Sequence, residues 1–327
     1  MKIMENSKVN NSRGNKKITI SNNIMLLIIF CILFILFSVF SKGFLTYYNI
    51  TTMFRNLVTT GILAIGLTPL MISRGIDISF GSTISLGGVV LAILYSNGVN
   101  IFLSMFVVLL ITTLTGFING ILVESFDLNA LIATLGTMSI FQALSLVFTN
   151  GYPIGIMSDP FYALSFNSFL KLPIPVWFFI FVLIIYYFIL NYTIVGRTIY
   201  IIGANPLAAY SCGINYKKVR IILYMFFGLM VGFAAIFTAG FSGSGSPYSG
   251  TYMLLPTLSA VLLGGIGLQG GSGTVWGTIL GVMITSVIMN GLLVAGVTPA
   301  LIQVLQGLLL IIIVATYELR SKKKVAY

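Results

Sequence analysis

Residues that could carry acid–base or metal chemistry are scarce in this sequence. Histidine is absent, which removes the commonest metal ligand and the commonest proton relay near neutral pH. The two cysteines, Cys31 and Cys212, have neither the spacing of a disulfide framework nor that of a zinc site. The sequence therefore predicts no metal site and no catalytic residues, and we expect a protein that is not an enzyme.

Acidic residues are equally few, and none lies in the middle of a long apolar run. They are Glu5, Asp77, Glu124, Asp127, Asp159 and Glu318. A proton-coupled carrier normally places an ionisable group deep in the membrane, so this distribution argues against that mechanism. Asp77 stands just before Ile78-Ser79, where a carboxylate stabilises the N-terminus of a helix. The alternative for Asp77 is a role in gating or in substrate contact.

Two nucleotide-binding motifs can be compared with the sequence directly. Gly265, Gly267 and Gly270 match G-x-G-x-x-G, but a dinucleotide site needs a βαβ unit and an acidic residue about 20 positions later. No acidic residue follows until Glu318, so these glycines indicate a turn at the membrane surface with close helix packing. The P-loop pattern G-x-x-x-x-G-K-[ST] does not occur. If ATP drives transport, a partner subunit must bind it, and we expect no cofactor in this chain.

Composition predicts the elements that must position these residues. Of 327 residues, 58% are hydrophobic and 7% are charged, whereas about 25% are charged in a typical soluble domain. The sequence therefore predicts an all-α, polytopic integral membrane protein with about ten transmembrane helices. These cover residues 24–41, 54–72, 78–95, 101–122, 128–148, 174–194, 219–240, 253–266, 275–293 and 300–317.

The basic residues predict how the chain is oriented. There are 17 lysines and arginines against 6 acidic residues, and basic residues concentrate in cytoplasmic loops. With the N-terminus inside, only Lys42, Arg55 and Lys171 fall on the outer side. Both termini are therefore predicted to be cytoplasmic, in a protein of the cytoplasmic (inner) membrane. Topology accounts for the positive charge, and no nucleic-acid partner is expected.

Three parts of the chain can be distinguished. Residues 1–23 form a predicted cytoplasmic tail, and residues 24–318 form the transmembrane domain, with a long cytoplasmic loop at 196–220. Residues 319–327 form a second, basic cytoplasmic tail. We expect this basic tail to attract the anionic head groups of membrane lipids.

The chain also contains candidate internal repeats. Residues 119–135 resemble residues 290–305, sharing Asn-Gly, Leu-Val and Ala-Leu-Ile positions around a linker of nearly equal length. Residues 75–87 resemble residues 265–277. The predicted spans give the first pair opposite orientations and the second pair the same orientation, so both cannot belong to one simple repeat. An inverted repeat is typical of transporters.

Polar side chains within or near the spans could line a hydrophilic path or form a gate. The candidates are Asp77, Ser79, Asn119, Asn129, Thr134 and Thr137. Hydrogen bonding between helices is the alternative for each, because polar groups on membrane helices commonly bond across helix contacts.

One loop between two apolar spans has an unusual pattern. It reads GANPLAAYSCGINYKKVR over residues 203–220. Asn205-Pro206 can open a short helix, since proline suits the first helical turn, and Gly213 is a natural stop. A short helix with small side chains, held at the membrane surface, is what a groove in a soluble partner could grip. An ordinary cytoplasmic loop is the alternative.

Together with the Gly196-Arg197 pair before it, this loop resembles the cytoplasmic coupling loop of ribose-type ABC importer permeases. The pattern of that family runs roughly G-R-x-x-Y-A-I-G-G-N-x-x-A-A-x-x-S-G-I. Here Ala204 replaces a frequent glycine, and Cys212 interrupts the Ser-Gly pair. Residues 75–82 and 263–277 also resemble blocks of that family. The resemblance covers nearly the whole chain beyond the first span.

The resemblance implies a permease subunit that dimerises around a central path for a simple sugar. We expect a homodimer with a second copy of this permease, and a heterodimer is the alternative. It implies two further partners, namely an ATP-binding subunit, often with two fused ATPase halves, and an extracytoplasmic sugar-binding protein. The coupling residues that it implies are Gly203, Asn205, Ala208, Ala209 and Gly213. Of these, Asn205 is placed to cap the helix.

Three alternatives stay open at the level of sequence. The first is the related branched-chain amino-acid type of ABC permease, which shares the architecture. The second is a carrier driven by an ion or proton gradient, which the candidate inverted repeat favours and the distribution of acidic residues disfavours. The third is an assembly subunit without a transport path. The motifs do not identify the sugar.

Overall fold

The computed structural model describes residues 22–267 and 269–325, and almost all of its regular structure is helical. Of the two predicted tails, residues 1–21 and residues 326 and 327 lie outside the described residues. The described residues form thirteen helices: α1 Asn22–Phe40, α2 Tyr47–Ile72, α3 Phe80–Ser96, α4 Ile101–Glu124, α5 Ala130–Thr149, α6 Asp159–Phe166, α7 Ile174–Tyr192, α8 Ile194–Ala204, α9 Pro206–Ser211, α10 Tyr216–Ser242, α11 Leu254–Leu263, α12 Val275–Val294 and α13 Pro299–Val325.

Four strands of two residues each occur among the described residues. They are β1 Ile154–Gly155, β2 Ser168–Phe169, β3 Leu172–Pro173 and β4 Ser244–Gly245. β1 pairs with β4 and β2 pairs with β3, both antiparallel. These short pairings tie down the long connection between α5 and α7, so they do not change the all-α class that the sequence predicts.

Each of the ten predicted spans coincides with a helix. Eight helices in the described part of the chain are long and apolar enough to cross a membrane, namely α1, α2, α4, α5, α7, α10, α12 and α13. The other two predicted spans form shorter apolar helices, with 17 residues in α3 and 10 in α11. α11 is short because the chain before it, residues 243–253, is non-helical and runs beside α3, where Gly250 N donates to Ser85 Oγ at 3.0 Å.

Two groups of four helices have matching contacts, and we call them the first half (α2–α5) and the second half (α10–α13). Within the first half α3 packs on α4 and α5, and within the second half α11 packs on α12 and α13. Between the halves, α10 packs on α4, and α2 packs on α12. Exchanging one half for the other therefore reproduces the same set of contacts.

The two halves run in opposite directions. α2 and α10 are antiparallel neighbours, since Gly66 lies against Met230 near their centres while Ser73 O, after α2, accepts from Arg220 Nε near the start of α10. The similarity between residues 119–135 and 290–305 joins equivalent elements, the α4–α5 and α12–α13 turns. The other predicted similarity is wrong as a repeat, because it pairs the start of α3 with the start of α12, and the equivalent of α3 is α11.

Glycines allow the closest helix contact between the halves, where α4 crosses α10. A Cβ atom on Gly116 would overlap Tyr224 O, and one on Gly228 would overlap Thr112 O. Backbones can approach this closely only without side chains between them. Glycines at this crossing therefore serve tight packing between the two helices.

The core surrounds α2 and the middle of α10, where Phe80, Tyr224 and Phe227 are fully buried. The outer helices α1, α5, α7 and α13 expose many large apolar side chains, such as Ile35 at 62% and Ile311 at 65% exposed. Lipid tails can cover such faces without cost, so this distribution fits a membrane protein.

Candidate functional site

The predicted docking loop folds into two short helices, α8 and α9. The Asn205 side chain lies between them and accepts hydrogen bonds from Leu207 N at 3.0 Å and Ala208 N at 3.1 Å. It thereby caps α9, in which Pro206 occupies the first turn. Gly213 follows the helix with φ of +83°, a conformation that favours glycine. Both ends of α9 are thus formed by the residues that the sequence predicts.

α9 has a water-facing side and a side that packs on the protein. Leu207 is 73% exposed and Tyr210 is 66% exposed, whereas Ala209 is fully buried. The predicted coupling residues divide between these sides: Asn205, Ala208 and Gly213 are exposed, and Gly203 and Ala209 are buried. We define the docking face as Leu207, Ala208 and Tyr210.

The last turn of α8 is held against two non-helical connectors. The first connector, residues 73–79, joins α2 to α3, and the second connector, of which residues 264–267 and 269–274 are described, joins α11 to α12. From the first connector, Arg74 donates to Gly203 O from Nε and to Ala204 O from a terminal guanidinium nitrogen, both at 2.7 Å. A Cβ on Gly203 would overlap both Ile72 O and Gly271 N. The predicted coupling loop is therefore fixed to both connectors, through the Arg74 side chain and through close backbone contacts at Gly203.

Three of the predicted path residues meet in one buried polar cluster. Asp77 Oδ1 accepts from Ser79 N at 2.8 Å and from Ser79 Oγ at 2.7 Å, and Asp77 Oδ2 accepts from Asn119 Nδ2 at 3.0 Å. Asn119 Nδ2 also donates to Ser79 Oγ at 2.8 Å, while its buried Oδ1 has no partner. Asp77 thus ties the start of α3 to α4, which agrees with its predicted position at a helix N-terminus.

The other three path candidates lie elsewhere. Asn129 is exposed and caps α5, accepting hydrogen bonds from Leu131 N and Ile132 N. Thr134 and Thr137 are buried, and their hydroxyls donate to carbonyl oxygens of α5 itself, at 2.7 and 3.2 Å. The structure does not bring these residues to the Asp77 cluster, and their place in a path stays a prediction.

Sequence reasoning missed two polar clamps that join the halves at opposite ends. Arg220 of α10 pairs with Glu124 of α4 at 3.3 Å, with side chains only 13% and 4% exposed. Near the other end, Asn49 of α2 and Asn290 of α12 exchange two amide hydrogen bonds of 2.9 and 2.8 Å. Inverting the molecule exchanges α10–α4 for α2–α12, so the two clamps join equivalent pairs of helices. Asn290 begins the repeated Asn-Gly pair, which was the available signal.

A cavity of about 360 Å³ lies between α11, α12 and α13. Its lining is almost entirely apolar, with polar contributions from Ser259, Thr285 and Gln306. Hydroxyl-rich ligands such as sugars need several convergent hydrogen-bonding groups. This cavity is therefore a poor candidate for a sugar site.

The family of the chain follows from comparison with known proteins. A family model described as the permease component of the branched-chain amino acid transport system matches residues 49–314. The chain belongs to this family. Over 326 residues it is 31% identical to the ribose import permease protein of Haemophilus influenzae, which covers 98% of this chain and 100% of that protein.

Two further relatives extend this result. The ribose import permease protein of Escherichia coli K12 is 33% identical over 276 residues, 83% of this permease and 86% of that protein. The autoinducer 2 import system permease protein of Escherichia coli O9:H4 is 35% identical over 264 residues, 79% of this permease and 80% of that protein. No solved structure matches the chain.

These matches make the chain the permease of a carbohydrate-type ABC importer, a multi-pass membrane protein and not an enzyme. The predicted resemblance to ribose-type permeases is confirmed. Membership of this family also implies an ATP-binding subunit and a binding protein as partners. The family match excludes the alternative that the protein is a carrier driven by an ion or proton gradient.

The Arg220–Glu124 clamp gives a prediction about stability. Arg220→Met leaves the Glu124 carboxylate buried without its partner, which costs about 3–5 kcal/mol. We expect the thermal unfolding midpoint of the purified permease in detergent to fall clearly. Arg220→Met combined with Glu124→Gln should recover only part of the loss, because Ser73 O still lacks the hydrogen bond from Arg220 Nε. Asp127→Asn, which breaks the exposed Lys217–Asp127 pair, is the control and should change little. An unchanged midpoint for Arg220→Met would disprove the clamp.

Proposed function

We propose that this permease imports a ribose-like monosaccharide that a sugar-binding protein delivers to its outer face. The observation that carries this proposal is the match to a ribose import permease over that protein's whole length. The permease of an autoinducer 2 import system matches over a shorter part of the chain, so autoinducer 2 is the second candidate substrate. Branched-chain amino acids are disfavoured because these relatives, both named for other substrates, match most of the chain.

We further propose that the docking face of α9 binds a groove in the ATP-binding subunit. Leu207 and Tyr210 offer exposed apolar and aromatic area, and Ala208 between them leaves room for close approach. A six-residue helix is marginal by itself, but the Asn205 cap and the buried Ala209 hold this one in place. In a homodimer two such faces would be presented, matching an ATPase with two fused halves.

For the membrane path, we propose that the Asp77–Ser79–Asn119 cluster acts as an inner gate. The polar groups of the cluster hydrogen-bond to one another inside the protein, and Asn119 Oδ1 is an acceptor without a hydrogen-bond partner. Opening the cluster would expose three hydrogen-bonding side chains to a passing sugar. Closed, it links α3 to α4 and excludes water.

The proposed orientation places α9 and both termini in the cytoplasm, and Cys212 allows a direct test. The chain has two cysteines, of which Cys212 lies exposed just after α9. In a Cys31→Ser variant, a membrane-impermeant maleimide should label inside-out vesicles but not intact cells. Met157 is 92% exposed in the connection between α5 and α7, which this orientation places outside. A variant that lacks both cysteines and carries Met157→Cys should therefore show the reverse. Labelling of Cys212 in intact cells would invert the proposed topology.

The substrate proposal is tested by uptake in proteoliposomes that contain the complete importer with its binding protein and ATP. We expect labelled ribose to accumulate and an excess of unlabelled ribose to compete, with leucine having no effect. Accumulation of autoinducer 2 without ribose would favour the second candidate. Accumulation of leucine alone would overturn both.

The docking proposal predicts a selective effect of Ala208→Glu. Because Ala208 is exposed, the substitution should leave the fold intact, yet it buries an unpaired charge in the groove, which binding surfaces tolerate poorly. We expect the ATP-binding subunit to be lost from a mild-detergent pull-down and uptake to fall at least tenfold. Ser125→Glu adds the same charge at another exposed position of the predicted inner face and should change neither. Unchanged binding by Ala208→Glu would end the docking proposal.

A further inference from the structure

We propose that the last turn of α8, residues 200–204, is a wedge that passes the movement of α9 to both halves of the permease at once. This inference rests on the proposed docking of α9 to the ATP-binding subunit. The positioning residues that carry it are Arg74 and Tyr200, acting with the glycine contacts around Gly203. None of them lies on the docking face.

The wedge is bonded to the first half through Arg74. Its guanidinium donates to Gly203 O and Ala204 O at 2.7 Å each, so two consecutive carbonyls at the end of α8 are held by one planar side chain. Arg74 has φ of +70°, which a residue with a side chain rarely adopts. Arg74 therefore has an unfavourable backbone conformation, and from this position its side chain contacts the wedge.

The wedge is bonded to the second half through Tyr200. Its hydroxyl donates to Gly273 O of the second connector at 2.9 Å. Gly203 and Ala204 also lie directly against Gly271, leaving no space for a side chain. Tightly packed contacts of this kind shift between discrete arrangements and do not deform gradually. A displacement of α8 must therefore displace the second connector as well.

The two connectors meet beneath the wedge. Gly271 N donates to Ile72 O at 2.8 Å, which joins the halves next to Gly203. From there the first connector leads within five residues to Asp77 and the proposed inner gate, and the second connector leads into α12, whose Gly277 packs against Gly264. One input at α9 thus has a short, continuous route to α3 and α4 in one half and to α12 in the other.

The test separates docking from transmission. Arg74→Gly removes both guanidinium hydrogen bonds while placing the residue best suited to φ of +70°. Tyr200→Phe removes only the bond to Gly273 O and keeps the ring. The control is Tyr186→Phe, which deletes a buried hydroxyl that has no hydrogen-bond partner. Each variant is assembled with the ATP-binding subunit and the binding protein in proteoliposomes, and substrate uptake per ATP hydrolysed is measured beside the pull-down.

We expect the single variants to keep the ATP-binding subunit but to lower uptake per ATP by roughly three- to tenfold, the range expected for losing one or two such hydrogen bonds. The combined variant should lower it further, and Tyr186→Phe should leave it unchanged. Unchanged uptake per ATP in the combined variant would overturn the wedge. Loss of the ATP-binding subunit would also overturn it, because the wedge contacts lie away from the docking face. Failure of the docking proposal is recognised separately, by Ala208→Glu retaining the ATP-binding subunit.

Discussion

Backbone that leaves the helical conformation near a membrane must find hydrogen-bond partners within the protein, because lipid offers none. Three carbonyl oxygens at the end of α2 and in the first connector find such partners in the second half. Ile72 O accepts from Gly271 N, Ser73 O from Arg220 Nε, and Ile76 O from the Tyr224 hydroxyl at 2.9 Å. The donors come from two places in the second half: Gly271 lies in the second connector, and Arg220 and Tyr224 lie one turn apart in α10. The hydrogen bonds to these carbonyl oxygens therefore join the two halves. They also fix the position of the connectors against which the last turn of α8 packs.

The inverted halves depend on a second constraint, the close approach of helix backbones. Small residues at the α4–α10 crossing let main-chain atoms pack directly, and this packing replaces the hydrophobic driving force that membrane helices lack. The polar clamps then lock the register at each end: an ion pair at one end and an amide pair at the other. An ion pair with so little exposure is a poor source of stability by itself. Its value lies in specifying which helix faces which.

Local features were predicted from sequence with good accuracy where they depend on neighbouring residues. The ten spans follow from continuous apolar runs, and the ends of α9 follow from Asn205 and Gly213, whose side chain and backbone act within a few positions. Tertiary pairings were missed. The sequence predicts Arg220 as a charge at the water-facing end of a span. In the structure it lies one turn inside α10, where its side chain is only 13% exposed and pairs with Glu124. Two opposite charges 96 residues apart carry no signal that they meet.

The sequence by itself determined that this is a helical membrane protein with a short capped helix in the loop at residues 203–220, because hydropathy, charge and helix-capping preferences are read from adjacent residues. The tertiary structure decided which parts of that loop are available to a partner: Ala208 is exposed, whereas Gly203 and Ala209 are buried. It also decided that Asp77, Ser79 and Asn119 form one cluster while Asn129, Thr134 and Thr137 do not join it. Only packing brings distant segments together, since burial and hydrogen bonding between them depend on the whole arrangement of helices.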